Sequence, residues 1–330
     1  MDNERIIVIG ASAGGVEALL SMTPRLSPHM AAPVVIVLHI GSHRSLLPEL
    51  LSAKGPNPAV FAQSGMVPRP GRIYVAPPDQ HVLIQGGELV LVRGPKEHHA
   101  RPAINPLFRS AALDKGARAI GVVLTGMLDD GAAGLHAIKV CGGSALVQDP
   151  QEATEPSMPL SAIASASVDH VLRIDEMTDM LNMLAQPLAT VPSDKAPQWL
   201  RVEHAVSLGQ SGLTELSLVA SPSGFTCPDC GGSLFEMREG KPLRFLCHTG
   251  HAYSLLTLAS LQEGVAEENL WAALRALQEK EALLRRLAES QRIGDSQGGG
   301  DALTEAAELA QFIDHMRGLV RKAPDSAAVK

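Results

Sequence analysis

The chain has 330 residues, 45% of them hydrophobic, which is enough to bury a core and excludes an intrinsically disordered chain. With 28 basic against 35 acidic residues, a net charge of -7 and 3% aromatics, there is neither a basic footprint for a phosphate backbone nor a surface for stacking bases, so nucleic acid is not an expected partner. The charged start lacks the form of a signal peptide, and the longest apolar run, residues 31–40, is too short to span a bilayer. A cytoplasmic protein without membrane insertion is expected, and in that compartment the four cysteines argue against a disulfide framework.

Residues 5–10 (RIIVIG) read as a buried strand, 16–22 as the start of a helix, and 32–39 (APVVIVLH) as a second buried strand. Residues 71–75, with the pair 81–84 and 88–92, read as a smaller β region, in which Gln85-Gly86-Gly87 signals a hairpin. A helix over 102–113 follows, then a third buried strand at 119–125 (AIGVVLT), a loop, a helix over 133–140, and further strands at 144–148 and 168–173. Continuous β-branched runs without alternation suit a parallel sheet covered on both faces. The fold class is therefore α/β, a doubly wound, mostly parallel sheet with a small β-hairpin region, and its ligand site is expected at the C-terminal strand ends.

Gly10-Ala11-Ser12-Ala13-Gly14-Gly15 follows a strand and opens a helix. A dinucleotide cradle would need glycine where Ser12 stands, and no Walker-type lysine follows. The segment instead fits Gly-x-Ser-x-Gly, a tight turn that exposes a nucleophilic hydroxyl beside free helix N–H groups. Any tight strand-to-helix turn uses the same small residues, so Ser12 alone decides nothing. His39 ends the next strand, on the same sheet edge, where an imidazole could take the Ser12 proton; His43 is a more loop-bound rival. Asp129 and Asp130 lie in a glycine-rich loop after a third strand, where either could orient the imidazole or simply cap the next helix.

Together the segments IVIGASAGGVEAL, VLHI, YVAPPDQH, ARPAINPLF, LTGMLDDGAAGL and QDPQEATEPSMP resemble, in order over about residues 5–185, the catalytic domain of CheB-type chemotaxis methylesterases. The chain order Ser…His…Asp also differs from that of α/β-hydrolases. The resemblance implies Ser12 as nucleophile, His39 as base and Asp130, which directly precedes Gly131, as the orienting carboxylate. It implies hydrolysis of glutamate γ-methyl esters on methyl-accepting receptors, with methanol released and no cofactor for catalysis; deamidation of receptor glutamines is a second activity of the family. Receptor cytoplasmic domains are the expected partners, with a methyltransferase or a separate response regulator in the same pathway. Backbone N–H groups of Ala13 and Met127 are candidate oxyanion donors, and Arg101 and Asn105 match loop positions at the site's edge, Arg101 with ion pairing as the plainer alternative. This sequence departs from the pattern in four places: no receiver domain precedes Arg5, Ala13 stands where many members have Thr, Leu128 where Gly is common, and Asn105 where an acid is. Two rival readings are a non-catalytic regulator that keeps the fold to bind partners and, with less support, a nucleotide-binding α/β protein.

On this basis residues 1–188 form a catalytic domain, and 189–222, rich in Pro, Ser, Thr and Ala, read as a linker. Residues 223–258 carry Cys227-Pro-Asp-Cys230 and Cys247-His-Thr-Gly-His251. Cys227, Cys230, Cys247 and His251 suit a closed, structural Zn2+ site of the zinc-ribbon type, with His248 a less favourable fourth ligand because it adjoins Cys247. A redox Cys-x-x-Cys and a metal-free module are the alternatives. Residues 259–322 read as C-terminal helices broken at Gly298-Gly299-Gly300 and 323–330 as a disordered tail. In the long helix Leu270, Ala273, Leu274, Leu277, Leu284 and Leu287 fall near one face, suited to packing within the chain, to self-association or to a partner helix.

Overall fold

The computed structural model describes residues 4–39, 45–188, 196–293 and 299–320. His43 and the tail from residue 323 lie outside the described residues. In chain order the elements are β1 (Ile6–Ala11), α1 (Gly15–Met22), β2 (Val34–Leu38), α2 (Leu47–Lys54), β3 (Ala59–Phe61), β4 (Ile73–Val75), β5 (His81–Gln85), β6 (Glu88–Val92), α3 (Ile104–Lys115), β7 (Ala119–Val123), α4 (Ala132–Val140), β8 (Ser144–Gln148), α5 (Ser157–Ser165), β9 (His170–Leu172) and α6 (Ile174–Leu184). Then come α7 (Gln198–Ser207), α8 (Leu213–Val219), β10 (Ala220–Thr226), β11 (Ser233–Met237), β12 (Arg244–Cys247), β13 (Ala252–Ser254), α9 (Leu255–Ile293) and α10 (Gly299–Val320).

Seven strands make one parallel sheet in the order β3-β4-β2-β1-β7-β8-β9. Every residue of β1, β2 and β7 is buried, which is why these runs carry no polar alternation. Alternate residues of β1 serve the two faces. Ile6 and Val8 join a core with Ile104, Phe108, Leu135, Ile138 and Met158 of α3, α4 and α5. Ile7 and Ile9 join a second core with Leu19, Leu51, Met177 and Leu181 of α1, α2 and α6. The sheet is thus doubly wound, and β1 lies between β2 on one side and β7 on the other, bringing the C-terminal ends of these three strands to one edge.

Two expectations need correction. Residues 73–75 do not belong with the small β region: β4 is buried throughout and pairs in parallel with β2 and β3, leaving only β5 and β6 as the hairpin. The stretch read as a linker is helical over most of its described length. Trp199, Leu200 and Val206 of α7, with Leu216 and Val219 of α8, bury themselves in the core that also covers α3. With the buried Glu203 between Leu200 and Val206, these positions recur at three- to four-residue intervals within each helix, a short amphipathic period masked by the surrounding Pro, Ser and Thr.

In the antiparallel sheet β10-β11-β12-β13, the β10–β11 turn carries Cys227 and Cys230 and the end of β12 carries Cys247, and Met237, Leu246 and Ala252 extend the same core. Residues Met1–Leu258 accordingly form one compact unit. The second unit, Ala259–Lys330, contains α10 and the rest of α9. There Leu274 and Ala288 of α9 and Ala302, Ala306 and Ile313 of α10 are buried, and Lys280 pairs with Glu305 at 2.8 Å. The buried stripe of α9 is rotated from the expected one, for Leu270 and Leu287 are exposed.

Candidate active site

Ser12 follows β1, His39 follows β2, and Asp130 lies in the loop after β7. Parallel register brings the first two together: the His39 N–H donates to Ala11 O, and the Ser12 N–H donates to Thr125 O on the β7 side. Ser12 Oγ lies 3.1 Å from His39 Nδ1, and His39 Nε2 lies 2.8 Å from Asp130 Oδ2. With Asp130 ionised, Nε2 carries the proton and Nδ1 is left free to accept one from Ser12.

Asp130 is buried, yet its oxygens are fully engaged. Oδ2 accepts from His39 Nε2 and from the Ile104 N–H at 2.7 Å; Oδ1 accepts from the N–H groups of Asn105 at 3.0 Å and Gly131 at 2.9 Å. Burial, the largest influence, pushes its pKa up, but the His39 hydrogen bond, the neighbouring imidazoles and the Ile104 N–H outweigh it and hold the carboxyl well below the ordinary range. The N-terminus of α3 therefore serves as the cradle of this carboxylate.

Two glycines make the approach possible. A Cβ on Gly126 would stand 2.1 Å from Met158 Sδ and 2.8 Å from Ser12 Cβ, so only glycine lets this loop run beside the serine. Gly131 has a φ of 95°, and in that left-handed turn its N–H reaches both Asp130 Oδ1 and Asn105 Oδ1. Leu128, with a φ of 61°, holds the same region without glycine's freedom, and its carbonyl is tied down by the Ser157 hydroxyl at 2.9 Å.

The remaining expected residues divide. The Ala13 and Met127 N–H groups have no hydrogen-bond partner among the described residues, and the Met127 side chain is exposed beside the site. Arg101 is committed to Asp79 Oδ1, at 2.7 and 2.9 Å, and to Gly94 O at 2.8 Å, which is the plainer ion-pairing alternative. Asn105 does not face a substrate loop: it is buried behind Asp130, its Oδ1 accepting from Gly131 and Gly134 N–H and its Nδ2 lying 3.0 Å from His98 Nε2.

The site's doubly wound sheet, strand-end triad and α3 cradle can be compared with known proteins. The family model described as CheB methylesterase matches residues 7–181. The chain belongs to the CheB methylesterase family. A Leptospira interrogans protein provisionally named protein-glutamate methylesterase/protein-glutamine glutaminase is 38% identical over 190 residues, covering 56% of this chain and 96% of that one. A Pyrococcus abyssi protein-glutamate methylesterase/protein-glutamine glutaminase is 36% identical over 179 residues, 52% of this chain and 48% of its own length. The crystal structure of the Thermotoga maritima CheB methylesterase catalytic domain aligns with a TM-score of 0.51 at 30% identity, covering 98% of that chain and 55% of this one. Residues beyond 181 thus lie outside the segment matched to the CheB methylesterase family.

Those later residues hold the second cluster. The ligand atoms of Cys227, Cys230, Cys247 and His251 all lie within 4.8 Å of one another and could hold a metal ion. The 3.9 Å between Cys230 Sγ and Cys247 Sγ is close to the edge of a tetrahedron built on metal–sulfur bonds of about 2.3 Å. His248, the rival ligand, is exposed and not part of this set.

Sequence reasoning missed the polar groups between the two clusters. His98 Nδ1 lies 2.9 Å from Thr257 Oγ1 and 3.4 Å from Asp129 Oδ1, and Thr257 Oγ1 donates to Asp129 Oδ1 at 2.8 Å. Burial lowers the His98 pKa, and the Asp129 and Asp130 carboxylates outweigh it and raise it to about 8. Asn105 Oδ1 is held by two backbone N–H groups, so Nδ2 faces His98 Nε2, and that contact is a hydrogen bond in the neutral ring, the form present above this pKa, with Nε2 accepting. Partners separated by up to 159 residues leave no local signal by which they could have been found.

Proposed function

We propose that this chain is a serine hydrolase that removes the methyl group from glutamate γ-methyl esters of methyl-accepting chemotaxis-type receptors, releasing methanol, with receptor glutamines as a second substrate. The observation that carries the reading is the continuous contact from Ser12 Oγ through His39 to a buried, ionised Asp130, at 3.1 and 2.8 Å. Ser12 attacks the ester carbonyl as its proton passes to His39 Nδ1. Asp130, already bonded to Nε2–H, stabilises the imidazolium without taking its proton. The uncommitted N–H groups of Ala13 and Met127 receive the developing oxyanion. His39 then protonates the departing methoxide, and water clears the acyl-enzyme by the reverse sequence; for a glutamine the same steps release ammonia. The half-buried Ser12 at an open sheet edge suits a long side chain presented by a folded partner.

The setting proposed is the cytoplasm, with receptor cytoplasmic domains as partners and a methyltransferase or separate response regulator acting in the same pathway. No helix among the described residues is long and apolar enough to cross a membrane. The decisive experiment is methanol release from methylated receptor fragments. Ser12→Ala is expected to lower turnover by at least about 10⁴-fold in a folded protein; unchanged release from that variant would refute the mechanism.

Residues 1–188 are read as the catalytic domain and 223–258 as a module in which Cys227, Cys230, Cys247 and His251 hold a structural Zn2+. Three thiols and an imidazole, closely spaced and closed by protein ligands, support this metal over a catalytic one. The ion would cross-link β10–β13 and take no part in the chemistry at Ser12. Elemental analysis should find one zinc per chain, and chelation should lower the melting temperature; metal-free protein purified without chelators would contradict it.

A further inference from the structure

The residues that follow the family-matched segment return to the triad from behind. Thr257, at the start of α9, is fully buried and lies 2.8 Å from Asp129 and 2.9 Å from His98. His98 meets Asn105, whose carboxamide fixes the Gly131 and Gly134 N–H groups, while the Asn105 N–H itself donates to Asp130. Thr257 thus reaches the carboxylate that holds His39 through an unbroken file of buried side chains. A second tether runs beside it. Asp229, between Cys227 and Cys230, accepts from the Tyr253 hydroxyl at 2.5 Å and pairs with His99 at 2.8 Å, and the His98 N–H donates to Ala252 O on β13 at 2.9 Å. Residues 97–99 are held to the Cys/His module on one side and the Asp130 loop on the other.

We infer that the Cys/His module is a positioning device for the triad, with Thr257, Asp129, His98 and Asn105 as positioning residues that set the placement of Asp130 and, through it, the His39 ring. The chemistry is specific in direction. With His98 neutral, Asn105 Nδ2–H donates to His98 Nε2, His98 Nδ1–H to Thr257 Oγ1, and the Thr257 hydroxyl to the Asp129 carboxylate. Removal of the single hydroxyl takes from the His98 Nδ1–H its nearer acceptor, leaving Asp129 Oδ1 at 3.4 Å, and takes from the buried Asp129 carboxylate one of its donors. Asp129 and Asp130 are adjacent, so relaxation of the first moves the second.

This inference rests on the reading of Ser12, His39 and Asp130 as a working triad, and its test is independent of turnover. In full-length protein labelled with 15N-histidine, the Nε2–H resonance of His39, assigned by its loss in His39→Ala, reports the bond to Asp130. In Thr257→Val, which preserves shape but removes the hydroxyl, that resonance should shift and its exchange with water should quicken by about tenfold, the equivalent of one hydrogen bond to a charged group. Turnover should fall with KM unchanged, and Thr257→Ser should restore both. A folded Thr257→Val with the wild-type resonance and exchange rate overturns the inference, as does a Ser variant no better than Val. An intact, Thr257-dependent resonance in a protein without esterase activity would instead refute the proposed function and leave the positioning role standing.

Discussion

The triad and the Cys/His cluster are two polar constellations of similar size assembled in opposite ways. Ser12, His39 and Asp130 come from the ends of three strands and meet only because β1, β2 and β7 are neighbours in a parallel sheet. Cys227, Cys230, Cys247 and His251 come from a stretch of 25 residues and are brought together by two turns on a small antiparallel sheet. The first rides on a core built by the sheet and its covering helices, so Ser12 and His39 are expected to be replaceable without loss of the fold. The second, in the proposed zinc-bound form, cross-links its own sheet. A site of the first kind is tested by activity, one of the second kind by stability.

The largest effect that sharpens this contrast is expected at Asp130. Asp130→Asn presents His39 with the wrong hydrogen-bonding partner and should lower turnover by about 10⁴-fold while the far-ultraviolet spectrum stays close to wild type. A variant that unfolds would erase the distinction, because the carboxylate would then be part of the fold's own support.

The junction between the regions should behave as the second kind. Arg109 of α3 pairs with Glu97 and, at 3.1 Å, with Glu203 of α7, and Glu203 also meets Arg244 of β12. All four side chains are at most 3% exposed, so two cations and two carboxylates balance out of water. Arg109→Met removes one cation and strands the carboxylates, a loss of about 3–5 kcal/mol. Urea denaturation measures it; a loss below about 1 kcal/mol would mean that the network is solvated and carries no load.

The smallest effect is the acid dependence of the same carboxylate. The folded pKa of Asp130 is depressed below the ordinary value of 3.8, so its stabilising contribution is complete above that value and is lost as the pH falls below it toward the folded pKa. Denaturation midpoints taken downward from pH 5 should therefore fall more steeply in wild type than in Asp130→Asn. Parallel curves would show that the backbone cradle confers no preference for the charged form.

Much of the architecture was legible because the signals were local. Unbroken apolar runs at β1, β2 and β7 announced a parallel sheet covered on both faces, and Gly86-Gly87 marked the hairpin. The three-residue strand β3 was not read, since a run so short has no period, and β4 was read as β structure but not as part of the parallel sheet, which only its pairing decides. Helix α7 was hidden by the Pro and Ser that flank it, although Trp199, Leu200, Glu203 and Val206 share its buried face. Asn105 was misread because its loop position says nothing of which way its carboxamide turns.

The sequence by itself determined the chemistry: a serine in a turn small enough to expose it, an imidazole and a carboxylate at strand ends, and three thiols with a histidine at metal-binding spacing. Only the tertiary structure decided how those groups are used. It showed that Nδ1 rather than Nε2 of His39 faces Ser12, that Asp130 and not Asp129 meets the imidazole, and that Asp129 turns away to His98 and Thr257. The physical reason is that a residue's type is carried in the chain, whereas the partner that selects its proton and its orientation arrives from a strand or helix up to 159 residues away.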